Sequence, residues 1–473
     1  MHEGFRAGWT IVKSRRYVGY ARLLLVGVCV VALLGGPALP RVQSAAKGPN
    51  ILIVLADDLR WDALGAYGNG VVKTPNLDRL AEDGARLDAF YVAAPLCTPS
   101  RAAFLSGLYP HQSDILDILG KADFDPGTAT IATHLNTAGY VTGFVGKAHM
   151  GGDPRRWGFK VCPIWLPSGS SPHKDPRLLV NGLEETVAGH ITQIFADAAI
   201  RFLERHRADR WLLWLATTAP HTPYYHDPKF SYRAAEITPP PGWPKGERFR
   251  AADWPGYYST ISMLDEQVGR VLRRLDELGL AKDTLVFVTA DNGEMFGSHG
   301  HQGKQMWFEE SARVPALVRW PGTIRPGTHV VSPISSVDLL PTVLELVGKE
   351  QPKTLEGVSM LPALTGGTPL RSAAYSEANR RAGEGGGYWR MIRTDRWKYV
   401  NLQYVTSRHR GERLYDLKND PSELKDLAKS KEHGKVLLQM RQQLDRWIDA
   451  TCHDRGAIRP PDRRFILCPR LPS

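Results

Sequence analysis

Four apolar runs, separated by longer and more polar stretches, constrain the fold of this 473-residue chain more than any other feature of its sequence. The runs are 51–55, 140–145, 211–216 and 285–289. The first is apolar at every position, which is typical of a strand covered on both faces, because a half-exposed strand would alternate. Amphipathic segments between the runs favour helices. This alternation predicts the α/β class, with a large mixed, mostly parallel β-sheet flanked by helices.

Reactive side chains follow each of these predicted strands. They are Asp57 and Asp58 after the first strand, Lys147 and His149 after the second, His221 after the third, and Asp291 and Asn292 after the fourth. Taken alone, a carboxylate in such a place is often the cap of the next helix, and a histidine is often a hydrogen-bonded loop residue. Open α/β sheets, however, bind ligands at the carboxyl ends of their strands. Four reactive ends along one sheet edge therefore predict a functional site.

The residue types at these strand ends indicate the chemistry. The three aspartates and the asparagine are all oxygen donors, which suit a hard cation such as Ca²⁺ or Mg²⁺. Their carboxylates would repel one another without a divalent ion, and a zinc centre would contain more histidine or cysteine. The lysine and the two histidines add positive charge and proton donors, which suit an oxyanion ester and its leaving group.

The segment from Leu96 to Gly107 is the most specific stretch of the sequence. Pro99 stands where a helix would begin, and the residues after Arg101 can continue that helix. Cys97 would then lie at a helix N-terminus, where the helix dipole favours an anion, with Arg101 one turn further on. Chemistry alone leaves three interpretations open: an activated thiol, a nest for a bound anion, or a small buried apolar residue.

Cys97-Thr98-Pro99-Ser100-Arg101 resembles the signature of the type I sulfatases, a family of the alkaline phosphatase superfamily. Motifs on both sides of this signature follow in the order that the family shows. They are Asp57-Asp58, 74–80, Gly146-Lys147-Ala148-His149, 219–223, 291–294, Gly303-Lys304 and 309–315. The similarity runs from about Pro49 to 415–417, which is most of the chain. It implies an alkaline phosphatase/sulfatase-like fold with a smaller C-terminal antiparallel sheet plus helix.

The resemblance implies that Cys97 is not used as a thiol. In type I sulfatases, a formylglycine-generating maturation enzyme linked to export reads the Cys-x-Pro-x-Arg pattern and oxidises the cysteine to Cα-formylglycine. One hydroxyl of the hydrated aldehyde attacks sulfur and displaces the alcohol, which gives a covalent sulfated enzyme. The other hydroxyl then loses its proton and re-forms the aldehyde, so that sulfate leaves by cleavage of a C–O bond.

The metal ligands of the family are assigned by resemblance to matching positions of this sequence. They are Asp57, Asp58, Asp291, Asn292 and the modified Cys97. By family precedent the metal would be Ca²⁺, with Mg²⁺ as the alternative.

The resemblance also assigns roles to five further side chains. Lys147 and Lys304 would bind the sulfate oxygens and balance the charge that grows in the transition state. Arg101 would anchor the hydrated aldehyde and His149 would orient or deprotonate it. His221 would donate a proton to the departing oxygen. Without the resemblance, Lys304 would be interpreted as a surface lysine.

Two further histidines, His299 and His301, lie a few residues before Lys304. We predict that both are substrate-binding residues. Many relatives carry an apolar residue at the position of His301, for which a surface residue without function is the alternative. Some relatives place another polar substrate contact shortly after the Lys-x-His motif, and this sequence offers no unambiguous match. The sequence therefore leaves the pocket for the leaving group undefined.

The N-terminal segment has the pattern of an export signal. Basic residues up to Arg22 precede an apolar run over 23–34, and small residues follow it. Twelve apolar residues are too few to cross a bilayer of roughly 30 Å. We predict a signal peptide over 1–46, export to the periplasm or out of the cell, and no membrane span after cleavage; an uncleaved anchor is the alternative. An oxidising destination makes Cys452 and Cys468 candidates for a disulfide.

The net charge does not indicate nucleic-acid binding. The chain carries a formal charge of +11, and a large part of the excess lies in the basic N-terminal segment. The remainder is mildly basic and contains no long run of lysine and arginine, which speaks against a nucleic-acid partner. A modest positive balance also suits anionic substrates.

Composition and turn residues indicate how the chain divides. Glycines and a proline over 366–369 mark a boundary, so we predict a catalytic domain over 47–366 and a C-terminal subdomain over 367–473. Short strand patterns at 388–392, 397–400 and 413–415 and a polar helix at 437–448 predict the small antiparallel sheet plus helix. Two proline-rich segments without periodicity, 163–181 and 238–244, are predicted to shape the mouth of the site.

Three hypotheses for the function follow. The first is hydrolysis of a sulfate ester, and the sugar of a sulfated carbohydrate is the favoured alcohol, with aryl sulfates and choline sulfate as alternatives. The second is hydrolysis of a phosphate or phosphonate monoester on the same scaffold. The third is a non-catalytic calcium-dependent binding protein whose cysteine stays unmodified, and the complete set of motifs speaks against it.

Overall fold

The computed structural model describes residues 48–118, 124–125, 127–225, 227–244, 253–369, 371–380, 387–403 and 411–452. The predicted signal peptide over 1–46 lies outside these residues and stays a prediction. Cys452 is disulfide-bonded, but Cys468 also lies outside the described residues, so the pairing of these two cysteines stays a prediction. Within the described ranges, no helix combines the length and the apolar character that crossing a membrane requires.

The described residues form strands and helices throughout the chain. The strands are β1 (Asn50–Asp57), β2 (Ala85–Leu87), β3 (Phe90–Tyr91), β4 (Val141–Lys147), β5 (Val161–Leu166), β6 (Arg177–Val180), β7 (Leu183–Thr186), β8 (Trp211–Pro220), β9 (Thr284–Ala290), β10 (Ala316–Arg319), β11 (Thr328–Val330), β12 (Ile334–Ser335), β13 (Ala374–Arg380), β14 (Gly387–Arg393), β15 (Trp397–Gln403) and β16 (Gly411–Asp416). The helices are α1 (Pro75–Glu82), α2 (Cys97–Ser106), α3 (Pro110–Ser113), α4 (Ile131–Thr137), α5 (Ile191–Arg205), α6 (Trp254–Glu277), α7 (Glu309–Ala312), α8 (Leu339–Leu346), α9 (Leu361–Leu364) and α10 (Gly434–Thr451).

A ten-stranded sheet forms the centre of the molecule, with the strand order β11-β2-β10-β9-β1-β8-β4-β5-β6-β7. The strands β9, β1, β8, β4 and β5 are neighbours and run parallel. On either side of this block, β10 and β6 pair antiparallel with their neighbours. The sheet is therefore mixed and mostly parallel, which confirms the predicted fold class.

The four predicted strands correspond to β1, β4, β8 and β9, and burial explains their composition. Every residue of β1, β8 and β9 is buried. Helices α5 and α6 pack against each other and against β8, so one face of the sheet is covered by them. Since every residue of these three strands is buried, the opposite face is covered as well, and such strands require apolar side chains on both faces.

The register of the parallel strands brings their carboxyl ends together. Ala56 of β1 lies opposite Ala290 of β9, so the aspartates that follow them are neighbours. On the other side, Asp57 lies opposite Pro220 of β8, directly before His221. Strand β4 is in register with β8 and ends at Lys147. The candidate residues of four distant segments therefore meet at one sheet edge.

The proline-rich segment 163–181, whose sequence shows no periodicity, contributes to β5 and β6. The pairing of β4 with β5 shifts between Gly143 and Val145, where β5 contains one residue more than its partner. This bulge includes Pro163, and a bulge tolerates proline because it leaves a residue outside the hydrogen-bonded ladder. Strands of six and four residues are too short for a periodic pattern of apolar residues to reveal them in the sequence.

The smaller sheet consists of β13, β14, β15 and β16, all antiparallel to their neighbours. Helix α10 packs on it through Met440, Leu444 and Trp447. The predicted C-terminal antiparallel sheet plus helix is thus confirmed, and β13 is a strand that the sequence did not predict. The domain boundary near residue 366 stays a prediction.

Candidate active site

A cluster of acidic side chains occupies the edge where the parallel strands end. Asp57 is the last residue of β1, Asp58 follows it with a φ of +63°, Asp291 follows β9, and Cys97 opens α2. One ligand atom from each of these four residues lies within 4.8 Å of the others, and all four residues are buried. Buried carboxylates at such distances repel one another unless cations compensate them.

Asn292 completes the donor set of this acidic cluster. Its Nδ2 donates hydrogen bonds to Asp58 Oδ1 at 2.6 Å and to the Gly293 carbonyl at 2.8 Å. Its Oδ1 is buried and has no hydrogen-bond partner among the described residues. A buried amide oxygen without a partner costs free energy, and a hard cation accepts such an oxygen as a ligand. The donor set therefore fits a Ca²⁺ or Mg²⁺ ion.

Three cations surround the acidic cluster. Lys147 Nζ contacts Asp57 Oδ2, and Lys304 Nζ contacts Asp58 Oδ1. The Arg101 guanidinium binds Asp291 Oδ2, with its Nε at 2.9 Å, and donates to the Lys147 carbonyl at 2.8 Å. Each aspartate thus has its own cationic partner, and Arg101 is fixed from two sides.

The pKa values of the aspartates reflect this crowding. Burial raises the pKa of Asp291 to about 6, and the neighbouring Asp57 carboxylate adds to the effect. Burial would also raise the pKa of Asp57, but Lys147 and the other cations around it lower that pKa overall. The negative charge of the cluster is therefore concentrated next to Lys147.

Cys97 lies between the acids and the two lysines. Its Sγ is 3.6 Å from Asp57 Oδ1, 3.0 Å from Lys304 Nζ and 3.9 Å from Lys147 Nζ. Burial nevertheless raises the pKa of the Cys97 thiol to about 12, because the attraction of the lysines does not offset desolvation. A thiol that stays protonated at neutral pH is a poor nucleophile. This finding disfavours the activated-thiol interpretation.

His149 is neutral, chiefly because it is desolvated and in addition because it lies close to the cations. Burial, with the nearby Lys147 and Arg101, lowers its pKa to about 3. Thr98 Oγ1 donates to the His149 carbonyl at 2.7 Å, which ties the residue to α2. The buried Nδ1 has no hydrogen-bond partner among the described residues. A Cβ at Gly169 would lie 2.7 Å from the imidazole, so glycine there leaves room for the ring.

His221 faces the cluster from the end of β8. Its Nδ1 lies 2.6 Å from the Thr222 carbonyl oxygen, and a carbonyl only accepts, so Nδ1 carries a proton. Its Nε2 lies 3.6 Å from Asp58 Oδ2 and is the nitrogen turned to the site. The loop around His221 is also held by His173, whose Nε2 lies 3.2 Å from the His221 carbonyl oxygen.

Comparison with known protein families identifies the family to which a chain with this site belongs. The family model described as Sulfatase matches residues 49–349, which is more than half of the chain. The chain belongs to the sulfatase family. A second model, described as N-sulphoglucosamine sulphohydrolase, C-terminal, matches residues 297–450 of this sulfatase. The enzyme is a sulfuric ester hydrolase of the type I group in the alkaline phosphatase superfamily, as the Cys97 signature predicts.

Individual proteins agree with the family assignment. The sulfatase is 32% identical to mouse steryl-sulfatase over 428 residues, which cover 68% of this chain and 66% of the mouse protein. It is 26% identical over 492 residues to the N-acetylglucosamine-6-O-sulfatase of Bacteroides thetaiotaomicron, covering 85% and 87% of the two chains. The solved structure of BT4656 in complex with its substrate, D-glucosamine-2-N,6-O-disulfate, has the same fold, with a TM-score of 0.77 and 24% identity. That match covers 86% of the sulfatase and 99% of BT4656.

The two remaining predicted residues lie apart from the acidic cluster. The His299 ring stacks on Phe308, with centroids 3.8 Å apart, and His299 Nε2 lies 3.6 Å from Glu310 Oε2. The His301 ring is 6.1 Å from the same phenylalanine ring. Both histidines of the sulfatase line a neighbouring cavity, so their predicted contact with substrate stays a prediction.

Two residues near the site were not assigned from the sequence. Glu294 is buried close to Asp58 and Lys304, and burial followed by the Asp58 charge raises its pKa to about 7. It stands three residues after Asp291 within a motif of the sulfatase, so a signal for it was present. His173, which supports the His221 loop, lies in a proline-rich segment without periodicity and offered no signal.

Proposed function

We propose that this sulfatase hydrolyses the sulfate ester of a carbohydrate, releasing inorganic sulfate and the sugar alcohol, through a formylglycine residue made from Cys97. The observation that carries the proposal is the convergence of Cys97, Asp57, Asp58 and Asp291 within 4.8 Å, with two lysines against the sulfur atom. This arrangement combines a site for a hard cation, a nucleophile position and positive charge for an oxyanion.

Asp57, Asp58, Asp291, Asn292 and the modified residue 97 would hold a Ca²⁺ ion. Bound there, Ca²⁺ would offset the crowded carboxylates and favour the ionised form of a neighbouring hydroxyl. Formylglycine, once hydrated, would supply two geminal hydroxyls in place of the thiol that burial keeps protonated.

The two lysines bind the sulfate group in this proposal. Lys304 Nζ and Lys147 Nζ lie 3.0 Å and 3.9 Å from Cys97 Sγ, so both ammonium groups reach an oxyanion attached at that position. Lys147 is buried and Lys304 is partly buried, and Asp57 and Asp58 already hold the two ammonium groups in place. Their positive charge therefore acts without reorganisation as negative charge develops. Arg101, fixed by Asp291 and the Lys147 carbonyl, keeps the first turn of α2 in place beside them.

The two histidines divide the proton transfers. His149 is neutral because burial and the cations lower its pKa to about 3, so it accepts a proton from residue 97 or orients it. His221 is oriented by the Thr222 carbonyl, which leaves Nε2 facing the site. In the protonated imidazole, Nε2 carries the proton that the departing sugar oxygen requires.

The carbohydrate part of the proposal is supported by similarity. The relative from Bacteroides thetaiotaomicron is named for a sulfated sugar, N-acetylglucosamine 6-O-sulfate, and its match covers most of both chains. The structure of BT4656, which has the same fold, contains a disulfated glucosamine as substrate. Aryl and steryl sulfates would use the same catalytic residues, so the alcohol is decided by pockets outside the acidic cluster.

Mass spectrometry and sulfate release test the proposal together. The chain is co-expressed with a formylglycine-generating enzyme, loaded with Ca²⁺, and digested to read the mass of the peptide that contains residue 97. We expect an aldehyde there, and release of inorganic sulfate from at least one sulfated saccharide, measured by ion chromatography. Cys97→Ala is the matched control and should release none. A preparation that carries the aldehyde and Ca²⁺ but releases no sulfate from any ester would contradict the proposal.

A competition experiment addresses phosphorus chemistry on the same scaffold. Sulfate, phosphate and phosphonate monoesters of the same alcohol are supplied at equal concentration to the oxidised enzyme. We expect sulfate to be released faster than phosphate. A higher kcat/KM for either phosphorus ester would establish the alternative instead.

A further inference from the structure

A cavity of about 600 Å³ is lined by residues that flank Lys304 in the sequence on both sides, and it has no role in the reaction described above. One wall is the loop 241–244, another is formed by residues of 299–308, and the third by β16 and the turn that follows it. Its volume falls within the range of roughly 300–1,000 Å³ that is typical of small-molecule sites. We refer to it as the loop–sheet cavity.

The walls of the loop–sheet cavity combine flat aromatic faces with nitrogen donors. Trp243, Phe308 and Tyr415 contribute aromatic rings, and Arg413 and His299 contribute N–H groups. A pyranose ring has an apolar face of C–H groups and a rim of hydroxyls, so it can stack on the former while its hydroxyls bond to the latter. The lining of the cavity therefore fits a sugar ring better than a purely apolar or purely ionic ligand.

The loop that carries His299 is held in a costly conformation. Phe296, His299 and Gln305 have φ angles of +48°, +57° and +68°, the left-handed region that non-glycine residues rarely adopt. The His299 backbone N–H donates to the Gly242 carbonyl at 2.6 Å and so ties this wall to the opposite loop. Strain of this kind persists where the surrounding structure enforces it, and it concentrates at ligand sites.

His299 also retains an unused polar atom at the cavity. Its side chain is 10% exposed, and its Nε2 makes no hydrogen bond to any described residue, with Glu310 Oε2 3.6 Å away. A buried ring nitrogen without a partner is costly, and a hydroxyl group of a ligand would satisfy it. This atom and the strained loop point independently to a ligand.

The cavity and the sulfate-binding lysine share one short loop. His301 precedes Lys304 by three residues, so their Cα atoms are at most about 11 Å apart. Lys304 Nζ in turn lies 3.0 Å from Cys97 Sγ. Backbone hydrogen bonds from Met295 to Gly303 and from Gly297 to His301, both 2.7 Å, keep the loop closed on itself. One short loop therefore carries both a lysine that contacts residue 97 and a histidine that lines the cavity.

We propose that the loop–sheet cavity binds a second sugar ring of a sulfated oligosaccharide whose sulfated ring lies at residue 97. This inference rests on the proposed function and narrows its substrate class. The substrate is an oligosaccharide, and an aryl sulfate or a sulfated monosaccharide leaves the cavity unfilled. Trp243 stacks on the second ring, and Arg413 and His299 bind its polar groups.

Kinetics of the oxidised holoenzyme test this inference. The probes are 4-nitrophenyl sulfate, sulfated monosaccharides, and size-fractionated oligosaccharides from heparin, chondroitin sulfate and carrageenan. We expect kcat/KM for one oligosaccharide to exceed that for its terminal monosaccharide by about tenfold or more, the effect of one additional favourable contact. Trp243→Ala and Arg413→Ala should lower this ratio towards one by raising KM for the oligosaccharide.

The control variant replaces another arginine that, like Arg413, lies on an antiparallel strand and pairs with a carboxylate. Arg177 of β6 is 73% exposed and pairs with Glu184, just as Arg413 lies 3.5 Å from Asp426, and Arg177→Ala should leave the ratio unchanged. Melting temperatures of all three variants identify losses that come from unfolding. Equal kcat/KM for oligosaccharides and monosaccharides, or a ratio that neither cavity variant alters, would overturn the inference.

A titration separates this inference from the proposed function. The Cys97→Ala enzyme is titrated with the same oligosaccharides while tryptophan fluorescence is recorded. The titration is then repeated with a double variant that also carries Trp243→Ala and therefore lacks the fluorescence of Trp243. We expect a saturable change that this second substitution abolishes. Since the titration needs no turnover, absence of binding overturns the inference even if the enzyme proves inactive. Cleavage of aryl sulfate with refusal of every saccharide would leave the sulfatase activity intact and overturn the inference.

Discussion

The two histidines of the site illustrate how surroundings assign chemistry to one residue type. His149 is partly buried next to Lys147 and Arg101, and desolvation together with these two cations lowers its pKa to about 3. His221 instead places Nε2 3.6 Å from the Asp58 carboxylate. The proposed base therefore faces cations, whereas the proposed acid faces a carboxylate.

Replacement of His221 tests its role as proton donor. We expect His221→Ala to lower kcat about 10²–10⁴-fold for a sugar sulfate, whose alkoxide leaves poorly without a proton. Aryl sulfates with acidic phenols should be affected far less. The measurement is kcat across a series of aryl sulfates with increasing phenol pKa, with His329→Ala, 53% exposed, as control. Equal loss across the series would remove the assigned role.

Replacement of Asp291 tests the metal site. Asp291→Ala removes a proposed Ca²⁺ ligand and also the partner of Arg101, so we expect turnover to fall about 10³-fold or more. Calorimetric titration should show weaker Ca²⁺ binding. Asp276→Ala is the matched control, because Asp276 pairs with Arg319 at 2.9 Å on the surface, and it should change neither quantity. Wild-type Ca²⁺ affinity in Asp291→Ala would exclude this residue from the ligand set.

At the scale of secondary structure, a buried carboxylate joins the small sheet to α3, the short helix that follows α2. Glu377 of β13 accepts a hydrogen bond from the His111 backbone N–H at 2.8 Å and lies 2.8 Å from His111 Nδ1. Its other oxygen accepts from Arg390 of β14 at 3.1 Å. His111 Nε2 in turn lies 2.9 Å from Thr451 Oγ1 at the end of α10. The Glu377 carboxylate thus holds α3 and β14 against β13, and through His111 it also holds the end of α10.

This carboxylate predicts a loss of stability in acid. Burial would raise the pKa of Glu377, but His111 and Arg390 lower it to about 2, below the ordinary value of 4.5. A lowered pKa in the folded state stabilises the fold above the unfolded pKa, and the contribution disappears as the pH falls towards the folded pKa. We expect about 3 kcal/mol of stability to be lost between about pH 4.5 and pH 2.

Urea denaturation across that pH range measures the effect. The free energy of unfolding of the wild type should fall with acid more steeply than that of Glu377→Gln, which has no carboxylate to protonate. Glu204→Gln, on an exposed part of α5, should follow the wild type. Parallel pH profiles for the wild type and Glu377→Gln would contradict the prediction.

Glu377 also explains why part of the fold escaped sequence-based prediction. Strands β1, β8 and β9 are covered on both faces, and their apolar runs are sufficient to identify them. Strand β13 contains Ser376 and Glu377, both fully buried, and their burial depends on partners that lie far away in the sequence. Periodicity cannot reveal a strand whose interior is polar and is satisfied by other elements.

The candidate site was predictable to the extent that its residues follow strands. Asp57 and Asp291 end neighbouring parallel strands, and the sheet rule places them together. Lys304 follows no strand, and its position next to Cys97 results from a loop with several left-handed residues. Such loops have no periodic signal, so only the resemblance to type I sulfatases identified this lysine.

Across the molecule as a whole, a buried ion cluster connects the small sheet to α7 and to the loop that precedes it. Lys398 of β15 lies 2.7 Å from Glu309 Oε1 of α7 and 2.8 Å from Glu423 Oε1, and its Nζ donates to the Trp307 carbonyl at 2.9 Å. Both carboxylates are buried, so the ammonium group offsets two desolvated charges. The packing of the small sheet against α7 and the loop before it therefore depends on this lysine.

Removal of that ammonium group should destabilise the enzyme strongly. Lys398→Met keeps most of the side-chain volume but leaves Glu309 and Glu423 without their shared cation, so we expect a loss of about 3–5 kcal/mol in the free energy of unfolding. Lys229→Met, which removes a surface pair with Glu266, should cost about 0–1 kcal/mol. Urea denaturation compares the two variants, and similar costs would show that the cluster adds little.

The burial of Cys97 bears on when the proposed oxidation of this residue can take place relative to folding. Its side chain is 1% exposed and is enclosed by groups that are distant in sequence, from Asp57 to Lys304. A modifying catalyst has to take the thiol into its own reaction centre, which a side chain at that depth does not permit. In the proposed function, oxidation of Cys97 would therefore have to precede folding, and the folded chain would then enclose the aldehyde.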